Sequence, residues 1–178
     1  MSRIASRRPS PDEYHANESI ERYLSMVEGD DVLAILHAQM TPLCEVACRL
    51  GTDQIDQRHP PYTWTIRQVF AHVADAERVF GYRMLRFAAG DPTPLPGWDE
   101  NAYSARRFGL GGKLSKLVEE IGWLRQSNIL LLKRIRPPAW EQIGTADGKP
   151  MTVRTVAWLA AAHLQHHLTI IQQRIGEV

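Results

Sequence analysis

No stretch of this 178-residue sequence is apolar for long enough to cross a membrane. It has two cysteines, Cys44 and Cys48, four positions apart, too few to suggest a framework of disulfides. An excess of charge of one sign is also missing: 21 Lys and Arg stand against 20 Asp and Glu, for a net charge of +1. These charges are mixed along the chain and no basic face stands out, so nucleic acid is not an expected partner. The N-terminal MSRIASRRPSPDEY has arginines but no apolar stretch behind them, and does not read as a secretory signal. It reads as a frayed, flexible polar tail over residues 1–16. Internal repeats and low-complexity tracts are lacking, and strand signals are few. These absences predict a globular chain in a reduced, cytoplasmic setting, away from membranes. The apolar share of 44% and the length predict one domain, residues 17–178, with a substantial core.

What is present is helical periodicity. Asn17 opens a short helix over ESIERYLSMV, and EGDD breaks it. Asp30 or Asp31 then caps VLAILHAQMTPLCEVACRL, where Leu33, Leu36, Met40, Leu43, Ala47 and Leu50 recur with a 3.6-residue period. Pro42 bends or splits this helix, and Gly51 stops it. Thr65 with Gln68 forms a capping box in front of a second long helix that Gly90 ends. A long Pro- and Gly-rich connection follows, then a third helix over LSKLVEEIGWLRQSNILLLKRI, stopped by Pro137-Pro138. Asp147-Gly148 marks a small hairpin, and Thr152 caps the last helix. The pattern predicts an all-α four-helix bundle with a short extra N-terminal helix and a long loop between helices 2 and 3. Helices joined by short connections are expected to be antiparallel, with the long loop crossing the bundle's end.

The last helix carries AHLQHHLTII, three histidines within five positions of an apolar run. Residues four apart on a helix differ by about 40° and roughly 6 Å, so His163 and His167 are placed to share one ion. Their stripe includes Val156, Leu159, Ala160, Ile170 and Ile171, which points them at the core. His166 lies about 60° to the other side of His163 and is the weaker candidate. A catalytic site of the zinc type needs three protein ligands and an open position. Bundle sites draw ligands from facing helices, which makes His72 on helix 2 the natural third ligand and His37 on helix 1 the runner-up. Asp75, one turn beyond His72, is placed to orient that ring. Glu77 reads as part of a solvated face, since buried carboxylates are scarce.

WTIRQVFAHVADAERVFGYRMLRF, followed about ninety residues later by MTVRTVAWLAAAHLQHHLTIIQQ, resembles the DinB-like superfamily, also described as YfiT-like metal-dependent hydrolases. The shared features are Trp64-Thr65, His72, and the pair His163 and His167. VEGDD and WLRQSNILLLKRI are similar too, so the resemblance spans the chain from about residue 20 onward. It implies a four-helix bundle holding a divalent transition metal (zinc, nickel, iron or manganese) on those three histidines, and a homodimer. It also implies a small-molecule substrate, with a thiol S-transferase or hydrolase activity and, for the former, a low-molecular-weight thiol cosubstrate. A metal that acidifies a bound water or thiol serves both reactions, so the triad alone does not choose.

Other features carry less. Cys44 and Cys48 share a face with His37, but buried packing is the reading preferred over a Cys2His site. GLGGK at 109–113 lacks the Ser or Thr of a phosphate loop, Leu114 standing there instead, and reads as a flexible turn. Trp98, Tyr103, Arg106 and Arg107 lie in the long loop, which either lines a substrate site or plugs the core. Trp123, Trp140 and Trp158 are expected to pack the bundle. Two classes of function remain open: a metal-dependent enzyme, and a non-catalytic helical-bundle dimer that is metal-stabilised or binds a small ligand.

Overall fold

The computed structural model describes residues 5–105 and 112–176. It is a four-helix bundle with a two-stranded hairpin at one end. The helices are α1 (Glu18–Leu24), α2 (Val32–Ala38), α3 (Met40–Arg49), α4 (Thr52–Ile55), α5 (Ile66–Ala88), α6 (Glu100–Ala105), α7 (Leu114–Arg134) and α8 (Val153–Arg174), with strands β1 (Ile143–Ala146) and β2 (Lys149–Thr152). Among the described residues no helix is long and apolar enough to cross a membrane.

Local signals place the long helices. Thr65 Oγ1 accepts from the Gln68 N–H at 3.2 Å while the Gln68 side chain accepts from the Thr65 N–H at 2.8 Å, which closes the start of α5. Thr152 Oγ1 accepts from the Thr155 N–H at 3.1 Å and starts α8. Each cap is worth about 1 kcal/mol. The first bundle helix is split, but not by Pro42, which sits in the first turn of α3 where its missing N–H costs nothing. The joint is Gln39. Its buried side chain donates to the Ala161 carbonyl at 2.9 Å and accepts from Arg125 at 3.1 Å.

Gln39 belongs to a buried polar layer. Arg125 and Glu77 are 0% and 1% exposed and paired at 2.5 Å. Asn128 donates to the Glu77 carboxylate and carbonyl, both at 3.0 Å. Gly81 leaves room for this: a Cβ there would lie 2.3 Å from Asn128 Oδ1. The expectation that Glu77 is solvated is thus wrong, because Arg125 supplies a counter-charge from another helix. The layer divides the apolar core in two. One half gathers Leu36, Met84, Phe87, Ile129, Leu132 and Trp158; the other gathers Leu43, Val46, Phe70, Ile121, Leu164 and Leu168.

Those two halves give the direction of each helix. The α2–α3 pair and α8 run from the first half to the second, and α5 and α7 run back. Both α5 and the α2–α3 pair pack on α7 and α8. The neighbours α5 and α7 are therefore parallel. The expectation that the connection between them crosses the bundle's end is corrected: parallel neighbours must be joined from one end to the other, so this connection returns along the bundle. It descends α5 in order: Asp91 pairs with Arg86, Trp98 stacks on His72, the Ser104 carbonyl accepts from Gln68 at 3.1 Å, and the Gly112 carbonyl accepts from Arg67 at 2.7 Å.

The hairpin turns at Asp147 and Gly148, both with positive φ (54° and 70°), as a two-residue turn requires. Leu95 joins it, donating to the Thr145 carbonyl at 2.8 Å and accepting from the Asp147 N–H at 3.1 Å. Strand β2 also lies against a single turn of 3-10 helix, Pro11–Tyr14. That turn corrects the reading of residues 1–16 as a frayed tail, at least from residue 5 onward. The Trp158 indole donates to the carbonyls of Ser6 and Arg7, Arg8 stacks over its ring at 4.4 Å, and Arg154 pairs with Glu13. Tyr14 is buried.

Three other readings change. Cys44 and Cys48 are exposed on the outer face of α3, not buried. Trp123 is 70% exposed, whereas Trp140 and Trp158 are in the core as expected. Arg106, Arg107 and the first three residues of GLGGK lie outside the described residues.

Candidate metal centre

The antiparallel contact of α5 with α8 sets His72 opposite His163 and His167. His72 Nε2 is 2.9 Å from His163 Nε2, and His167 Nε2 is 3.2 Å from the same atom. The three donor atoms lie within 4.8 Å of one another. The one-turn spacing on α8 and the facing position on α5 thus bring together the three histidines singled out from sequence.

Their environment favours the neutral ring. Burial first, then the charges of His167, His72, His166 and Arg125, push His163 well below the usual 6.5. Burial, then His72 and His166, do the same for His167. A neutral imidazole is the form that gives a lone pair to a metal. The Nδ1 atoms of His163 and His167 are buried without a hydrogen-bond partner among the described residues, and ring packing holds these two side chains in place.

Two of the three spacings also suit an ion. Nitrogens about 2.0–2.1 Å from a tetrahedral metal lie roughly 3.4 Å apart, close to the two separations seen. Hydrogen bonds alone do not satisfy the cluster. Each ring nitrogen offers one proton or one lone pair, and His163 Nε2 faces two other Nε2 atoms.

Aromatic rings enclose the cluster. Trp98 stacks on His72 at 5.3 Å with planes 10° apart, and Trp64 meets the same ring edge-on at 5.1 Å. Phe80 stands edge-on to His163 at 5.5 Å. Tyr103, 54% exposed, backs Trp98 edge-on at 5.2 Å. The loop therefore lines the site. A cavity of about 290 Å³ opens over the cluster, its rim including Tyr23, Arg83, Glu100 and His166.

Of the remaining candidates, His166 is half-buried, lines the cavity and packs edge-on to Tyr23 at 5.4 Å, outside the cluster of three. Asp75 is half-buried one turn beyond His72. His37 is exposed on α2 and does not join the cluster. Phe80 and Arg83 were missed from sequence. The signal was there: 72, 76, 79, 80 and 83 form one stripe of α5, and all five residues line the cavity.

A family model described as the DinB superfamily matches residues 36–171. The structure is similar to that of YfiT from Bacillus subtilis, described as a probable metal-dependent hydrolase with an unusual four-helix bundle topology. The TM-score is 0.70 at 18% identity, covering 98% of this chain and 99% of that one. No curated protein matches the chain.

Proposed function

The chain belongs to the DinB superfamily, and from that premise we propose that it is a metal-dependent enzyme of the thiol S-transferase or hydrolase type. The observation that carries this reading is His163 Nε2 facing two other imidazole nitrogens at 2.9 and 3.2 Å. His72, His163 and His167 hold a divalent transition ion: zinc, nickel, iron or manganese. When bound, such an ion acidifies a water or a low-molecular-weight thiol brought against it, and so supplies a nucleophile near neutral pH. Three nitrogen ligands leave a position open for that molecule.

The chain's own groups do the rest. Trp98 and Trp64 fix the plane of His72 and keep bulk water off it. Phe80 does the same for His163. We propose that Asp75, half-buried one turn beyond His72, orients that ring. The cavity admits a small molecule past Tyr23 and Glu100. We also propose a homodimer. Supporting it, Tyr82, Leu85, Trp123 and Leu130 leave a large apolar surface on α5 and α7, at 51%, 44%, 70% and 56% exposure.

Elemental analysis of tag-free protein beside a His163→Ala/His167→Ala variant is the test. Stoichiometric metal in the parent and none in the variant is the expected result. Screens for thiol transfer and hydrolysis follow, with activity lost in His72→Ala while the helical signal persists. A parent that takes up no metal even on reconstitution overturns the reading. Metal without turnover leaves a non-catalytic, metal-stabilised bundle.

A further inference from the structure

The cavity over the triad adjoins a second one of about 240 Å³ beneath the hairpin, and the two share Tyr23, Phe80, Arg83 and His163 as walls. Arg83 is the charged residue common to both. Its guanidinium is half-buried and makes no hydrogen bond or ion pair with any described residue. This sets it apart from its neighbours on α5, where Arg78 pairs with Glu120 at 2.6 Å and Arg86 with Asp91. Burial lowers the Arg83 pKa, and only the charge of Asp147 acts the other way. Asp147 in turn is shared with Lys149 at 3.5 Å. Among the described residues, two cations against one carboxylate leave this second cavity with a single positive charge in excess, while Glu100 lines the cavity over the triad.

The rest of the second cavity is largely apolar: Ile20, Leu159, Met151 and the rings of Tyr23 and Phe80. Arg83 follows His72 by eleven residues, three turns plus about 20°, so both lie on one face roughly 16 Å apart along the axis. Side chains on a helix lean toward its N-terminus, which brings the guanidinium back toward the triad.

We propose that this cleft takes a small monocarboxylate with an apolar body. Its carboxylate docks on the Arg83 fork, its body lies between Tyr23, Phe80 and Leu159, and its far end reaches the triad. A planar fork with one net charge suits a carboxylate, whereas a phosphate dianion calls for a second free cation. The carboxylate end stands on Arg83 alone; only the far end rests on the metal reading above.

The test is calorimetry on metal-free protein, where no ion competes for the carboxylate. The probes are phenylbutanoate, its amide, and phenylbutyl phosphate. Phenylbutanoate is expected to bind at least about tenfold more tightly than the amide. Arg83→Gln is expected to abolish that preference while keeping the helical signal and thermal midpoint. Equal binding of acid and amide, no binding of either, or a preference that survives in Arg83→Gln overturns the proposal. Tighter binding of the phosphate overturns the monocarboxylate assignment. A cobalt titration separates the two readings: Arg83→Gln takes up cobalt like the parent, and failure of the parent to bind cobalt counts against the triad only.

Discussion

Replacing Arg125 with methionine tests whether the polar layer holds the bundle together. The side chain is fully buried, and it donates to Glu77 Oε1 at 2.5 Å, to Gln39 Oε1 at 3.1 Å and to the Ala160 carbonyl at 3.3 Å. Methionine fills most of the volume but returns none of these bonds. It leaves the Glu77 carboxylate 1% exposed without its counter-charge. Breaking a buried pair from one side costs roughly 3–5 kcal/mol, a large share of the about 5–15 kcal/mol that stabilises a domain. At about 2–4 °C per kcal/mol for a chain of this size, the midpoint falls by roughly 6–20 °C. The assay is urea unfolding followed by far-UV circular dichroism, run on Arg125→Met, Glu77→Leu and the double variant. The double variant removes both charges, so it is expected to be far more stable than the two single losses summed, with a coupling of at least about 2 kcal/mol. Single losses under about 1 kcal/mol, or losses that simply add, would refute the reasoning.

Three further outcomes are expected. Gly81→Ala gains helix propensity but sets a Cβ 2.3 Å from Asn128 Oδ1. The net result is a loss of about 1–3 kcal/mol in urea unfolding; a stabilised variant would mean that Asn128 gives way freely. Burial raises the Glu13 carboxyl, but the Ser10 N–H and the Arg7 and Arg154 guanidinium groups outweigh it and hold the group below its usual 4.5. Its contribution is therefore present above pH 4.5 and lost as pH falls through the lowered folded value, so Glu13→Gln is less stable than the parent at pH 7 and the gap closes in acid. Zinc at a hundredfold excess over its dissociation constant adds about 2.7 kcal/mol to the parent, read as a thermal shift, and adds nothing when His163 and His167 are alanine.

Local signals carried most of the fold into the sequence. The Thr65–Gln68 box, the Thr152 cap, the Asp147-Gly148 turn and the one-turn spacing of His163 and His167 each involve residues within four positions of one another. Their physics is complete before the chain folds. The choice of His72 needed one further idea, that ligands come from facing helices; its Nε2 lies 2.9 Å from that of His163. What failed depended on distant partners. Glu77 looks solvated until Arg125, 48 positions on, arrives with its charge. The helix breaks at Gln39, whose side chain reaches Ala161 and Arg125, whereas Pro42, the more familiar breaker, sits in the first turn of α3. The parallel run of α5 and α7 has no local signature, and neither does the docking of residues 5–16 on Trp158 and Arg154.

The two-stranded hairpin has a consequence for solubility. A ladder this small usually shows unpaired backbone groups along both margins, and such margins recruit strands from other chains. Here Leu95 takes the outer margin of β1, and the Pro11–Tyr14 turn lies against β2, where Pro150 also lacks an N–H. Neither side is left as a template. The N-terminal segment thus works as a guard against strand-to-strand pairing at this hairpin, and a chain whose first sixteen residues were cut away would lose that cover on β2 before it lost the bundle.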